Sequence, residues 1–167
     1  MSITMLKQFL QDNTALFKHS KKNSNYKYKS FYELVLELGQ EMKPARTSKE
    51  LTGQRKNCYG NCQALAFMEP ELTYCEGFAI PNTIDFPASH AWLLDKSGTV
   101  IEVTWEEPGR AYLGIAFSTT FIKSILKERE ENKGSNYLSL LECNHLEGYS
   151  FLKYGFPNDA YANGIMG

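Results

Sequence analysis

The chain has 167 residues, 43% of them apolar, and 18 Lys and Arg stand against 19 Asp and Glu for a formal net charge of -1. That composition describes one globular domain, 1–167, with room for a real core, and its balanced charge gives no general attraction to nucleic acid or to an anionic membrane. No run approaches the roughly 18 apolar residues of a membrane-spanning helix. The start, Met1 to Phe9, lacks the charged and continuously apolar regions of an export signal, so a cytoplasmic location is expected, with Cys58, Cys62, Cys75 and Cys143 reduced rather than paired.

In chain order, Ile3, Leu6, Phe9, Leu10, Leu16 and Phe17 recur at mostly helical spacing and predict a first helix. Lys18 to Lys29 is polar and basic with Tyr26 and Tyr28 interleaved, and reads as a solvated linker ahead of a phosphate or nucleic-acid patch. Ser30 and Glu33 make a capping box before Phe31–Leu38, which completes a helical N-terminal part over 1–45. Pro44 to Arg55 is loop-like, and a helix that begins near Asn57 is stopped by Glu69-Pro70. Leu72 to Ile80, Ser89 to Asp95, Thr99 to Trp105 and Ala111 to Phe117 are short, rich in β-branched or aromatic residues and bounded by turn formers, as strands are. Phe121, Ile122, Ile125 and Leu126 give one apolar face to a helix over Ser118 to Glu131, and Ser135 is a candidate cap for a short helix through Leu141. The aromatic, Gly-rich tail from Tyr149 has no clear periodicity. Helices flanking a continuous block of strands indicate an α+β fold, with a helix-and-sheet core over 57–117 and C-terminal helices and tail over 118–167.

The chemistry concentrates in that core. A thiol attacks at neutral pH only as thiolate, which a helix N-terminus or a neighbouring imidazolium favours. Asn57 as N-cap puts Cys58 in the first helical turn, where free backbone N–H groups also suit the oxyanion of a tetrahedral intermediate. A competing register makes Asn61 the cap and Cys62 the nucleophile. His90 opens one strand and Glu102 lies on the next. A three-residue loop, Lys96 to Gly98, pairs Trp92 with Glu102 and sets His90 diagonal to Glu102 on the same face, about 7 to 8 Å apart at Cα, a span that a glutamate covers. A two-residue turn at Ser97-Gly98 would put the two side chains on opposite faces. Glu102 is flanked by Ile101 and Val103, so either it faces solvent or its strand is buried on both sides and a partner such as His90 holds the carboxylate.

Cys58-Tyr59-Gly60-Asn61, Leu72 to Ala79, His90-Ala91-Trp92 and Val100 to Trp105 together resemble the transglutaminase-like branch of the papain-like cysteine enzymes, and most closely small bacterial and phage proteins that share this series. The resemblance covers roughly Asn57 to Phe117. It implies a cysteine-bearing helix packed on an antiparallel sheet of about four strands, with Cys58 as nucleophile, His90 as base and Glu102 as third member. Where that family usually has aspartate followed by proline, this chain has Glu102-Val103. Gln54 or Asn61 is a candidate oxyanion donor, Glu76 a candidate cleft residue on the neighbouring strand, and Trp92 or Trp105 a candidate wall, with Trp105 expected to be mainly core. The implied activity is that of a cysteine hydrolase or acyltransferase on an amide, peptide or other acyl bond, with no cofactor and with a peptide, protein or small acyl compound as substrate. The alternatives are a non-catalytic binding or adaptor protein on the same scaffold, and a zinc-stabilised module that draws on Cys58, Cys62, Cys75 and His90 or on Cys143 with His145.

Overall fold

Short runs of β-branched and aromatic residues separated by turn formers pair with their sequence neighbours. In the computed structural model, which describes residues 2–19, 21–47, 53–133 and 138–162, they build most of one sheet. Its strands are β1 (Gln40–Thr47), β2 (Thr73–Ile80), β3 (Ala88–Leu94), β4 (Thr99–Glu102) and β5 (Ala111–Phe117). The helices are α1 (Ser2–Phe17), α2 (Phe31–Leu38), α3 (Cys58–Met68), α4 (Thr119–Lys133) and α5 (Ser150–Tyr154). The strand order β1-β4-β3-β2-β5 closes into a small barrel in which β1 runs parallel to β4 and every other pairing is antiparallel. The α+β class is as expected from the sequence, but the sheet has five strands and is closed.

The additional strand, β1, comes partly from the segment read as loop from Pro44 onward. Lys43 pairs with Thr99 and Arg46 with Ile101, so three steps on β1 match two on β4. The extra residue falls at Pro44 or Ala45, where proline has no N–H to give to a ladder and a bulge accommodates it. Residues 48–52, the rest of the expected loop before Gly53, lie outside the described residues.

Alternation along the strands divides the core in two. Met42, Cys75, Ala79, Trp92, Leu94, Val100 and Tyr112 fill the barrel. Trp92 is fully buried there, its indole N–H on the Met42 sulfur at 3.0 Å and its ring edge-on to Tyr112. A Cβ at residue 114 would stand 2.5 Å from the Trp92 ring, so the indole occupies space that only Gly114 leaves open. Ala91, Leu93, Ile101, Leu113 and Ile115 face outward, where Leu6 and Leu10 of α1, Leu34 and Val35 of α2, Cys62 and Ala66 of α3, and Ile122 of α4 cover them. The predicted cap of α2 forms, with Ser30 Oγ accepting from Glu33 N at 3.2 Å, while the Glu33 carboxylate reaches back to the N–H of Lys29.

Two readings of the flanks are corrected, the first in part. The Lys18–Lys29 stretch is exposed over most of its described residues, as a solvated linker is, but its end is packed: Tyr28 is buried, its N–H donating to Leu152 O at 2.9 Å, and the Tyr26 ring lies against Tyr149. The two tyrosines bury their rings against α5, a helix of five residues, too short for its period to be read in the tail. Ser135 lies outside the described residues, and 138–141, the end of the helix expected from it, is loop and turn. There the backbone N–H groups of Leu140 and Leu141, at 2.8 and 3.1 Å, and the Ser139 hydroxyl donate to the buried Glu76 carboxylate of β2. Donors spent on that side chain are lost to a helix. Arg129 of α4, also buried, completes the join with a bidentate pair to Glu147 at 2.6 and 2.8 Å and a bond to Ser139 O at 2.8 Å.

Burial pushes the Glu76 carboxyl up to about 7, and its four donors hold it from rising further. A carboxyl that binds its proton more tightly when folded costs stability as pH rises from its ordinary 4.5 through 7. Glu76→Gln is expected to be less stable than wild type at pH 5 by about 1–3 kcal/mol, because its amide N–H₂ faces donors, and the gap should narrow toward pH 8. Urea unfolding at the two pH values checks this; a gap constant with pH would mean that Glu76 stays ionised throughout.

Candidate active site

The turn between β3 and β4 sets the site's register. Asp95 N donates to Thr99 O at 3.0 Å, Gly98 N donates back to Asp95 O at 2.9 Å, and Gly98 has φ +74, a left-handed conformation that glycine adopts without steric cost. This closes a three-residue loop, and Asp95 Oδ1 secures it by accepting from the N–H groups of Ser97 and Thr99. Leu94 accordingly pairs with Val100 and Leu93 with Ile101. Counting on, Trp92 stands opposite Glu102 and His90 lies diagonal to it, both side chains pointing into the same end of the barrel.

The two meet: His90 Nε2 and Glu102 Oε2 are 3.0 Å apart, with the side chains 2% and 0% exposed. Ile101 and Val103 are buried as well, so the chain here is covered on both sides and the carboxylate is held by partners. Oε2 also accepts the Tyr112 O–H at 2.9 Å, and Oε1 accepts the N–H groups of Thr104 at 2.8 Å and Trp105 at 3.0 Å. Burial alone would raise this carboxyl, but the hydrogen bond and charge of His90 together with the two backbone N–H groups hold it below its ordinary value. Burial and the charge of Glu102 push the Tyr112 phenol up, which keeps it a donor. Burial lowers His90, yet hydrogen bonds to Cys58 and Glu102, reinforced by their charges, outweigh it and push the imidazole up to about 9.

Cys58 is the first residue of α3 and is half-buried. Lys56, with φ 61, is in the left-handed region just before it, a conformation that costs a non-glycine residue of order 1–3 kcal/mol. Asn57 occupies the N-cap position but makes no side-chain bond to the first turn; its amide lies over Gly60 instead, where a Cβ would come within 2.6 Å. The first-turn N–H groups are thus not taken by the cap. Glu102 occupies Nε2 of His90, and Cys58 lies near enough to the imidazole to help raise it. Of the two helix registers considered, the chain takes the one that starts at Cys58. Cys62, one turn further, is fully buried and its thiol is pushed well up by burial, as is that of Cys75 in the barrel.

The supporting residues fall differently. Asn61 is a clamp: Oδ1 accepts from Gln54 N at 2.9 Å, and Nδ2 donates to Gln54 O at 2.7 Å and to Thr104 Oγ1 at 3.0 Å. Both amide protons are used, so Asn61 is not an oxyanion donor. Gln54 is exposed, its backbone fixed by that clamp. Glu76 does not face this end of the barrel, because Gly77 is the residue paired with His90 and Glu76 points to the outer face. Trp92 lies deeper, its ring 6.3 Å from the imidazole and shut off from solvent.

Trp105 is the wall: its ring stacks flat on His90 at 3.8 Å and 4°. The sequence predicts a strand through Trp105, with Trp105 a candidate wall but mainly core. The strand ends at Glu102, and the carboxylate's hold on the N–H groups of Thr104 and Trp105 bends the chain back over the imidazole. Tyr112 was missed altogether, although its place on β5 two residues from Gly114 marks it as inward-facing. Among the described residues no three His, Cys, Asp or Glu side chains converge as metal ligands.

Two cavities flank the pair. One of about 460 Å³ is lined by Lys56, Thr104 and Trp105 with Pro81 and Ile84; the other, about 270 Å³, includes Tyr59 and Ser89, the chain neighbours of Cys58 and His90. The chain matches no known protein family, no curated protein and no solved structure, so its functional reading rests on this geometry.

Proposed function

We propose that the protein is a cysteine acyl-transfer enzyme, a hydrolase or acyltransferase of transglutaminase-like arrangement acting on an amide, peptide or other acyl bond. The observation that carries this reading is the buried His90–Glu102 hydrogen bond at 3.0 Å, with Cys58 at the start of α3 close enough to bear on the charge of that imidazole. His90 takes the Cys58 proton, and the thiolate attacks the carbonyl carbon. Negative charge on the carbonyl oxygen is met by first-turn N–H groups of α3, which the Asn57 side chain does not occupy. The imidazolium then gives its proton to the leaving group as the carbon–leaving-group bond breaks, and water or an amine, deprotonated by His90, attacks the thioester to release the product and restore the thiol. Glu102 stabilises the imidazolium and fixes the ring, and Trp105 covers one ring face. The chemistry requires a free thiol, and all four cysteines are unpaired, which fits a reducing, cytoplasmic setting.

Alkylation by iodoacetamide tests the nucleophile. Cys58 is expected to react first, because Cys62 and Cys75 are buried and the Cys143 thiol is also pushed up. His90→Ala should slow it at least about tenfold. Equal labelling of the four thiols, indifferent to His90, would sink the proposal.

The His90–Glu102 pair also has a pH window. An imidazole raised from 6.5 to about 9 contributes stability fully present below pH 6.5 and lost as pH rises through 9. The lowered Glu102 contributes stability present above its ordinary 4.5 and lost as pH falls through its lowered value. In an NMR titration of the imidazole, Glu102→Gln is expected to bring His90 down by about one unit or more. An unmoved midpoint would mean that Glu102 does not set the charge of the base.

A further inference from the structure

The 270 Å³ cavity lies across the start of β3 from the imidazole, since Ser89 and His90 point to opposite faces of that strand. Ala88 and Ser89, the first residues of that strand, are only half-buried. Its walls include Tyr59, next to Cys58, and Ser89, next to His90; the rest is largely ring and aliphatic surface from Phe17, Tyr32, Phe78 and Leu152. A surface row of aromatic rings leads to it from the segment that precedes β3: Phe86 meets Phe9 at 5.4 Å, Phe9 meets Tyr32 at 6.0 Å, and Tyr32 stacks on Phe78 at 5.2 Å. Phe86 and Ile84 on that segment are 60% and 54% exposed.

The charged groups of the lining are engaged within the protein. The Lys29 ammonium donates to the carbonyls of Ser24 at 2.9 Å and Tyr26 at 2.7 Å, the Glu76 carboxyl is saturated by four donors, and Glu142 accepts the Tyr59 O–H at 3.1 Å. What remains to meet a ligand is mostly ring and aliphatic surface, with the hydroxyls of Tyr32, Ser89 and Tyr149 among it. At about 270 Å³ the space lies just below the range of cavities that take a whole small molecule, and suits one aromatic ring or a medium-length aliphatic chain.

We propose that this cavity binds an uncharged apolar group of the substrate whose carbonyl Cys58 attacks, so that the enzyme selects aromatic or aliphatic acyl donors over charged ones. This assignment rests on the acyl-transfer reading of Cys58. It is tested by the rates at which iodoacetamide and its N-propyl and N-hexyl derivatives alkylate Cys58, each divided by its rate with glutathione. The normalised rate should climb with chain length, up to about fourfold per methylene buried, the worth of about 0.8 kcal/mol. It should saturate with reagent concentration for the hexyl compound. Ser89→Trp, which fills the cavity, and Phe17→Asp, which places a charge at its rim, should each bring the hexyl-to-parent ratio down to that seen with glutathione. A wild-type ratio already equal to the glutathione value, or a gain that survives both substitutions, overturns the cavity assignment. In that case His90-dependent labelling by iodoacetamide itself leaves the nucleophile standing. Labelling of Cys58 that ignores His90 removes the acyl-transfer reading and this assignment with it.

Discussion

The site depends on one buried hydrogen bond, that between His90 and Glu102. A carboxylate with no solvent exposure is tolerated only when its lone pairs are met, and Glu102 receives four donors from three parts of the chain: His90 on β3, Tyr112 on β5, and the backbone of Thr104 and Trp105 just past β4. Three of the five strands and the bend after β4 are therefore tied to a single side chain. The same contacts hold the Glu102 carboxyl below its ordinary value and raise the imidazole, so the polar group that joins the barrel end also sets the charge of His90. Structure and proposed chemistry share this interaction and would be lost together.

The barrel supplies what the hydrogen bond needs, a dry and rigid surround. Trp92, against Gly114 and Met42, packs the interior immediately behind His90, and Trp105 closes over the ring from outside. The imidazole is thus held from both sides and has little rotational freedom, while Cys58 approaches from α3 at the open end. Asn61 of α3 ties this approach to the barrel, since its amide bonds both Gln54 and Thr104, the latter adjacent to Trp105. Helix α3, the preceding loop and the histidine wall are thereby held in one frame.

Much of this was legible in the sequence where a local rule decides the geometry. Ser30 with Glu33, the Glu69-Pro70 stop and the Lys96–Gly98 loop are local devices, and each acts in the structure as its residues imply. The hairpin register follows from the loop length, for which the sequence allowed two or three residues and the structure takes three, and with it comes the meeting of His90 and Glu102. What could not be read depends on partners distant in sequence. β1 is made by pairing with β4 and β5, and its Pro44 hides the strand because the bulge that absorbs a proline exists only once a neighbour is present. The hold on Glu76 was not legible because its donors at Ser139 to Leu141 are over sixty residues away. Trp105 stacks on His90 because Glu102 itself ends the strand and draws the following backbone over the imidazole.

That last case bears on why the acid at 102 is a glutamate. The resemblance led to an expectation of aspartate at this position, and the diagonal register explains why the longer acid fits. An aspartate at 102 would withdraw the carboxylate by about one carbon–carbon bond, roughly 1.5 Å, from a histidine that sits one pairing step away rather than opposite. It could still turn back to the N–H groups of Thr104 and Trp105, a reach natural to a short side chain, but not also hold Nε2 of His90 at 3.0 Å. The extra methylene lets one carboxylate do both: Oε1 bends the chain so that Trp105 covers the imidazole, and Oε2 holds that imidazole in place. Glutamate here is a consequence of where the Lys96–Gly98 loop puts the two strands, and the length of the acid and the length of the turn form one constraint.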